Sequence, residues 1–221
     1  MEHEIFLTSD GSHSIYVKEL DEHYHSMHGA VQESKHVFIS AGLHAVNRSA
    51  EPITILEVGF GTGLNALLTL IESQKHHFKV HYTALEAYPL DISIVGKLNY
   101  PNFLGDTFYS AYLKKLHQPT WNEAAEILPN FFLEKINAKL QDYTLNKLYN
   151  LIYFDAFAPR VQPELWTEAI FSKLYDATAM EGVLVTYCAK GEVKRTLKKV
   201  GFKVESLPGP PGKREMVRAV K

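Results

Sequence analysis

The sequence predicts an α/β domain with a mostly parallel sheet covered by helices on both faces. Three observations carry that expectation. From Ile53 onward, short β-branched runs alternate with segments of helical spacing. The first run, ITILEV, ends in the glycine cluster Gly59-Phe60-Gly61-Thr62-Gly63 and leads into LNALLTLIESQ, a strand–turn–helix order. A second run, VHYTALEA, carries Glu86 at its end, 23 residues after Gly63.

Composition sets the outer limits. The 221 residues leave room for one domain with an elaboration, and 46% hydrophobic against 22% charged residues is the balance of a globular chain. A chain of this length buries roughly 70% of its unfolded surface and needs no metal or disulfide staple. The single Cys188 excludes an intrachain disulfide and any multi-cysteine metal site. No apolar run approaches the ~20 residues of a membrane span. The opening MEHEIFLTSDG lacks a basic-then-apolar leader. A cytoplasmic protein without membrane contact is expected.

Residues 1–50 read as an N-terminal arm. EIFLTSDGSHSIYVKEL places two β-rich runs around Asp10-Gly11, a hairpin signal, and the histidine-rich EHYHSMHGAVQESKHVFISAGL reads as a loop and short helix. Residues 51–221 form the α/β domain. After Glu86, PLDISIVGKLNY reads as a helix with Pro89 near its start. The stretch from about 100 to 130 breaks the alternation and reads as an inserted helical elaboration or lid, with Phe103, Phe108, Tyr109, Tyr112 and Trp121 among polar residues. FFLEKI is a strand candidate with a helical alternative open. YNLIYFDAF is a buried strand, QPELWTEAIFSKLYDAT an amphipathic helix, and Glu181-Gly182 a turn into the strand VLVTYCA. The helix GEVKRTLKKV and the strands FKVESL and REMVRAV complete the chain, with SLPGPPGK holding an irregular loop between the last two.

The glycines of Glu57-Val58-Gly59-Phe60-Gly61-Thr62-Gly63 let the backbone turn tightly and approach a ligand beside a helix N-terminus. Leu64 stands where a dinucleotide fingerprint wants a small residue, which argues against nicotinamide or flavin. Glu57 suits a cationic or amino-acid-bearing ligand, and Glu86 suits ribose hydroxyls. Taken singly, a structural turn and an exposed strand-end acid remain alternatives. Taken together, one nucleoside ligand explains both.

E-x-G-x-G-x-G followed by an acid at the next strand end resembles the class I S-adenosylmethionine-dependent methyltransferases, over roughly residues 51–207. The resemblance implies a Rossmann-like, seven-stranded sheet with its last strand antiparallel, and S-adenosylmethionine across the strand tips. It places Gly59 and Gly61 beneath the methionine moiety, with Gly63 and Asn65 in the same turn, Glu57 near the amino group and Glu86 on the ribose. It implies no metal, and no flavin in this chain.

Asp155-Ala156-Phe157-Ala158-Pro159 follows the strand YNLIYF and resembles a variant of the acid-Pro-Pro-aromatic motif of amine methyltransferases. A nitrogen nucleophile must be uncharged, with its lone pair aligned about 3–3.5 Å from the reacting carbon. A carboxylate at Asp155 can orient the N–H groups or take a proton, and Phe157 can pack against a flat base. A plain strand-to-loop turn is the alternative.

Longer runs narrow the resemblance. FDAFAPRVQPELWTEAIFSKL, VLVTYCAKGEVKRTLKKVGF and PGKREMVRA, with Tyr24-His25-Ser26 and Glu33-Ser34-Lys35-His36-Val37-Phe38 in the arm, are similar to the methyltransferase half of the MnmC family of tRNA 5-methylaminomethyl-2-thiouridine biosynthesis proteins. That resemblance implies methylation of the primary amine of 5-aminomethyl-2-thiouridine at the tRNA wobble position. It puts Tyr24, Glu33, Pro159, Lys213, Arg214 and Glu215 on the substrate side. The family's bifunctional members continue into a flavin-dependent oxidase domain. This sequence ends at Lys221 and so resembles the stand-alone methyltransferase form, expected to work beside a separate oxidase or to receive the aminomethyl nucleoside directly. The family's Gly-Asp before the fourth strand is missing, and Glu134, in Leu133-Glu134-Lys135, is the expected adenine-contacting acid.

Charge is a weak sign of a polyanionic partner such as nucleic acid, with a solvated helix face and a basic tail as the alternative. Residues 189–221 hold ten Lys or Arg against three Glu, although the whole chain is −2. Lys194, Lys198 and Lys199, on one predicted helix, are expected to hold phosphates of the anticodon arm. His23, His25 and His28 have a metal-like spacing, but methyl transfer from a sulfonium needs no metal and no partner ligand is evident. Two other readings stand beside the main one. An aminopropyl- or methyltransferase acting on a free small amine or polyamine would want an acidic substrate pocket. A non-catalytic RNA-binding module would not need the glycine loop, Glu86 and Asp155.

Overall fold

Asp10 and Gly11 reverse the chain between β1 (His3–Leu7) and β2 (His13–Val17), which pair antiparallel as the hairpin signal predicts. Gly11 takes a positive φ of 88°, while one Asp10 carboxylate oxygen accepts from the Ser12 N–H and the Thr8 hydroxyl, closing the turn. A two-residue β3 (Glu22–His23) joins β2, so the arm is a three-stranded sheet rather than a bare hairpin. Helix α1 (Ala30–Ser34) then continues through a widened turn to Ser40. The computed structural model describes residues 2–47, 51–106 and 108–221. The boundary expected at residue 50 adjoins 48–50, outside the described residues.

The domain follows in the order β4 (Ile53–Val58), α2 (Leu64–His76), β5 (Val80–Glu86), α3 (Ile92–Val95), α4 (Tyr100–Phe103), α5 (Phe108–His117), β6 (Ala124–Leu128), β7 (Phe131–Asn137), β8 (Tyr149–Phe154), α6 (Glu168–Ala177), β9 (Thr178–Thr186), α7 (Gly191–Lys199), β10 (Lys203–Pro208) and β11 (Glu215–Val220). The sheet runs β10-β11-β9-β8-β4-β5-β7-β6. Strands β9, β8, β4, β5 and β7 are parallel, and β11 is antiparallel to β9.

Seven of these strands match the expected methyltransferase sheet, and β6 adds an eighth, antiparallel to β7 at the edge. The inserted segment is therefore two helices and a strand, not helix alone. FFLEKI is strand β7, and the helix expected over PLDISIVGKLNY shrinks to the single turn α3. Glu181-Gly182 lies inside β9, where the register against β8 shifts.

Alternation along the parallel strands sorts the core into two layers. Ile53 and Ile55 of β4, with Tyr153 of β8, pack toward α2, α5 and the arm helix. Leu56, Val58, Ile152 and Phe154 pack toward α6 and α7, against Trp166, Phe171 and Leu197. The strand order reverses on either side of β4, and in such sheets ligands bind at the strand tips where that happens.

Candidate active site

The carboxyl ends of β4, β5 and β8 meet the arm around a cleft of about 880 Å³. The glycine turn forms its floor. Gly59 has φ +92°, and a Cβ there would stand 2.6 Å from the Asp155 carbonyl oxygen. At Gly61, φ +49°, a Cβ would lie 3.0 Å from the Tyr24 ring. Gly63 is different: it precedes α2 away from the cleft, and its bare Cα makes room for His117. The His117 Nε2 lies 3.0 Å from the Thr62 carbonyl oxygen, and Lys135 donates to the His117 carbonyl at 2.7 Å. The insertion thus supports the glycine turn from behind.

Two acids at the strand tips, Glu86 and Asp155, face the cleft, and a third, Glu57, is buried behind them. Both oxygens of Glu86 are used at 2.9 Å, one by the Gly61 N–H and the other by the Tyr88 N–H. The Asn65 amide, from the second residue of α2, donates to Glu57 at 3.0 Å and to Asp155 at 2.8 Å, tying β4 to the end of β8. Burial pushes all three upward. Glu57, with no exposed surface, goes well above the usual carboxylate range, with the Asp155 charge adding to the effect. Asp155 rises to about 7 through burial and then the Glu33 charge, opposed by the Asn65 hydrogen bond and the Lys213 ammonium.

Glu33, from α1, completes this group. Its carboxylate takes the Ser26 N–H at 3.1 Å and Lys213 Nζ at 2.7 Å. Lys213 also lies 3.9 Å above the centre of the Tyr187 ring, whose hydroxyl donates to the Ala156 carbonyl at 2.8 Å. Tyr24 meets Phe157 edge to face at 5.2 Å. The Phe157 backbone is held by Gln162 and by the Trp166 indole N–H, at 3.0 and 2.9 Å. In all, six carboxylate side chains line the cleft against Lys139 and Lys213, so it favours a cationic occupant.

Several expected residues lie elsewhere. Glu134 is in the middle of β7, bound to Lys147 at 2.7 Å, and does not line the cleft. The cleft wall on that side is Ala138–Gln141, in the loop beyond the strand. Lys194 is paired with Glu215 at 2.8 Å and Lys199 with Glu168 at 2.6 Å, while Lys198 is exposed on α7; none of the three reaches the cleft. Pro159, Arg214 and Glu215 line a second, smaller cavity beside it. His23, His25 and His28 do line the cleft, where His23 packs on Phe6 and Tyr16, His25 is buried near Tyr100, and His28 faces Gly212. Among the described residues no three His, Cys, Asp or Glu side chains group as metal donors. Tyr187, Gln162 and Gln141 were not anticipated. Of these only Tyr187 carried a signal, standing just past the tip of a parallel strand as Asp155 does.

A family model described as S-adenosyl-L-methionine-dependent methyltransferase matches residues 105–221, more than half of the chain. The chain belongs to this methyltransferase family. Its relatives include the tRNA 5-methylaminomethyl-2-thiouridine biosynthesis bifunctional protein MnmC of Magnetococcus marinus, 33% identical over 213 residues, which are 90% of this chain and 31% of that protein. The chain spans about a third of the length of the curated relatives it matches. A crystal structure of MnmC2 from Aquifex aeolicus, 26% identical, superposes with a TM-score of 0.80 over 99% of this chain and 69% of that one. Spermidine synthase from Thermotoga maritima, 15% identical, covers 95% of this chain and 68% of that one at a TM-score of 0.56, a likeness of fold alone. Among the described residues of this methyltransferase, no helix is long and apolar enough to cross a membrane.

Proposed function

We propose that this methyltransferase acts in the cytoplasm on tRNA, methylating the side-chain amine of 5-aminomethyl-2-thiouridine at the wobble position. The observation that carries this reading is Asp155, held by the Asn65 amide that also binds the buried Glu57, inside an acidic cleft walled by Tyr24 and Phe157. The MnmC relatives support the choice of acceptor.

The cleft fits S-adenosylmethionine. Bare backbone at Gly59 and Gly61 leaves a floor that any Cβ would fill, and the six acids of the lining against two lysines favour a ligand bearing positive charge. Glu86 would hold its ribose hydroxyls and the Ala138–Gln141 loop its adenine, whereas Glu57, expected near the ammonium group, is fully buried and bears on the cleft only through the Asn65 amide. When bound, the cofactor supplies a methyl group already activated by the sulfonium charge.

The chain's own residues then have the nucleophile to prepare. A primary amine arrives largely protonated, and only its neutral form has a lone pair to donate. A carboxylate titrating near 7 is part ionised at neutral pH, so Asp155 can take one ammonium proton on Oδ and later release it to solvent. Its hydrogen bond from Asn65 fixes the carboxylate's orientation. Tyr24 and Phe157 present ring surface for the thiouracil, and the bonds from Gln162 and Trp166 order the Phe157 loop in advance.

A polyamine acceptor would use the same acidity, so the cleft's charge does not separate the two readings. The MnmC relatives and the basic C-terminal third favour RNA. Labelled S-adenosylmethionine incubated with tRNA that carries the aminomethyl nucleoside, and separately with putrescine and spermidine, tests the choice. Label on the tRNA alone is expected. Label on a polyamine with none on tRNA would overturn the proposal.

A further inference from the structure

Beside the main cleft lies a second cavity of about 470 Å³, lined by Ala158, Pro159 and Tyr187 on its apolar side and by Lys190 and Arg214 on its charged side. Three residues, Ala158, Tyr187 and Lys213, belong to both cavities, so the two adjoin across these side chains. Its other two charged residues are engaged: Lys213 with Glu33 and Glu215 with Lys194. Lys190 and Arg214, both exposed, have no ion-pair partner among the described residues. A space of nucleotide size thus combines ring and proline surface with two uncommitted cations, next to a cleft that is itself acidic.

The charge reversal across the Tyr187–Lys213 divide is the informative feature. Acids facing the reaction repel an RNA backbone, so a polynucleotide that inserts one base must keep its phosphates on the far side of that divide. We infer that the second cavity is a subsite for the nucleotide adjoining the modified one, with the connecting phosphodiester bound by Lys190 and Arg214 and the adjoining base against Pro159 and Tyr187. Single-stranded RNA is recognised in this way, by base stacking combined with charge on the backbone. The subsite rests on the tRNA reading and extends it, because a free nucleoside or a polyamine has nothing to place there. It also assigns Lys190, and moves the phosphate contact from the face of α7 to the start of that helix.

The test uses trinucleotides with 5-aminomethyl-2-thiouridine in the middle. One has both natural phosphodiesters, and two others carry a neutral methylphosphonate at the 5′ or the 3′ linkage. With the parent protein, one neutral linkage should lower kcat/KM by roughly ten- to a hundredfold, the size of a hydrogen bond to a charged group. In Lys190→Ala/Arg214→Ala that penalty should shrink toward none, and the side of the sensitive linkage tells which neighbour is bound. Both positions are surface-exposed, and an unchanged melting temperature checks the fold. A penalty of the same size in parent and variant, or none in the parent, overturns the subsite while leaving the proposed function intact. No methyl transfer to any trinucleotide or to the matching anticodon stem-loop overturns both.

Discussion

The Lys213 ammonium lies 2.7 Å from the Glu33 carboxylate, although 180 residues separate them in the chain. Glu33 keeps only 8% of its side-chain surface and Lys213 31%, so the carboxylate depends on this partner more than the lysine does. Lys213→Met should destabilise the fold by about 1–3 kcal/mol, less than a fully buried pair because the lysine is partly solvated. It should also raise Asp155 further, since Lys213 holds that group down. The acid limb of the pH–rate profile would then move to higher pH, which steady-state rates between pH 5 and 9 would reveal.

Asp155 itself gives the profile its expected shape. With a value near 7, the free protein should gain kcat/KM as pH rises through neutrality. Asp155→Asn should flatten that limb and lower the rate by roughly a hundredfold or more, with cofactor affinity little changed. The same substitution should stabilise the fold. An acid whose folded value lies above its unfolded one is favourable while protonated, so its contribution is lost as pH rises from about 4 to about 7. At pH 8 the Asn variant should melt a few degrees above the parent in calorimetry.

Gly59 and Gly61 should respond differently to the same change. At Gly59 the added methyl would meet backbone, the Asp155 carbonyl, which cannot step aside. At Gly61 it would meet the Tyr24 ring, which can rotate. Gly59→Ala should therefore cost about 1–3 kcal/mol of stability, whereas Gly61→Ala should cost about 1 kcal/mol. Gly61→Val should keep the fold and lose S-adenosylmethionine binding by titration calorimetry.

His25 and His117 set an opposing acid-side dependence. Burial lowers both to about 4. Their folded values lie below the unfolded one, so stability is present above about 6.5 and lost as pH falls toward 4. His117→Gln should reduce the acid-side loss in urea unfolding at pH 5, and should also loosen the glycine turn by weakening the contact to Thr62.

The parts of this molecule that could be read from the sequence are those whose chemistry sits at a strand tip. Gly59, Gly61, Glu86 and Asp155 each end or follow a short apolar run, and the fold brings them to one cleft, while Glu57 is buried behind it. What the sequence hid depends on contacts between distant segments. Nothing near Glu33 or Lys213 announces their pairing. Strand β6, AAEIL, is short, mostly solvent-facing and forms only against β7, so neither period nor propensity marks it. Glu134 stands in the middle of β7 rather than at its tip, so its side chain meets Lys147 instead of the cleft. The lysines of α7 have helical spacing suited to a basic face, yet Lys194 and Lys199 are bound by Glu215 and Glu168, partners that lie 21 and 31 residues away.

The central claim is that the cleft prepares a side-chain amine of a wobble uridine for methylation. The direct measurement is to supply tRNA bearing 5-aminomethyl-2-thiouridine with methyl-deuterated S-adenosylmethionine, digest it, and locate the added methyl by fragmentation mass spectrometry. The account predicts a single labelled methyl on the side-chain nitrogen of that uridine, and little or none with Asp155→Asn. Label on the thiocarbonyl sulfur, a ring carbon or a ribose would contradict it.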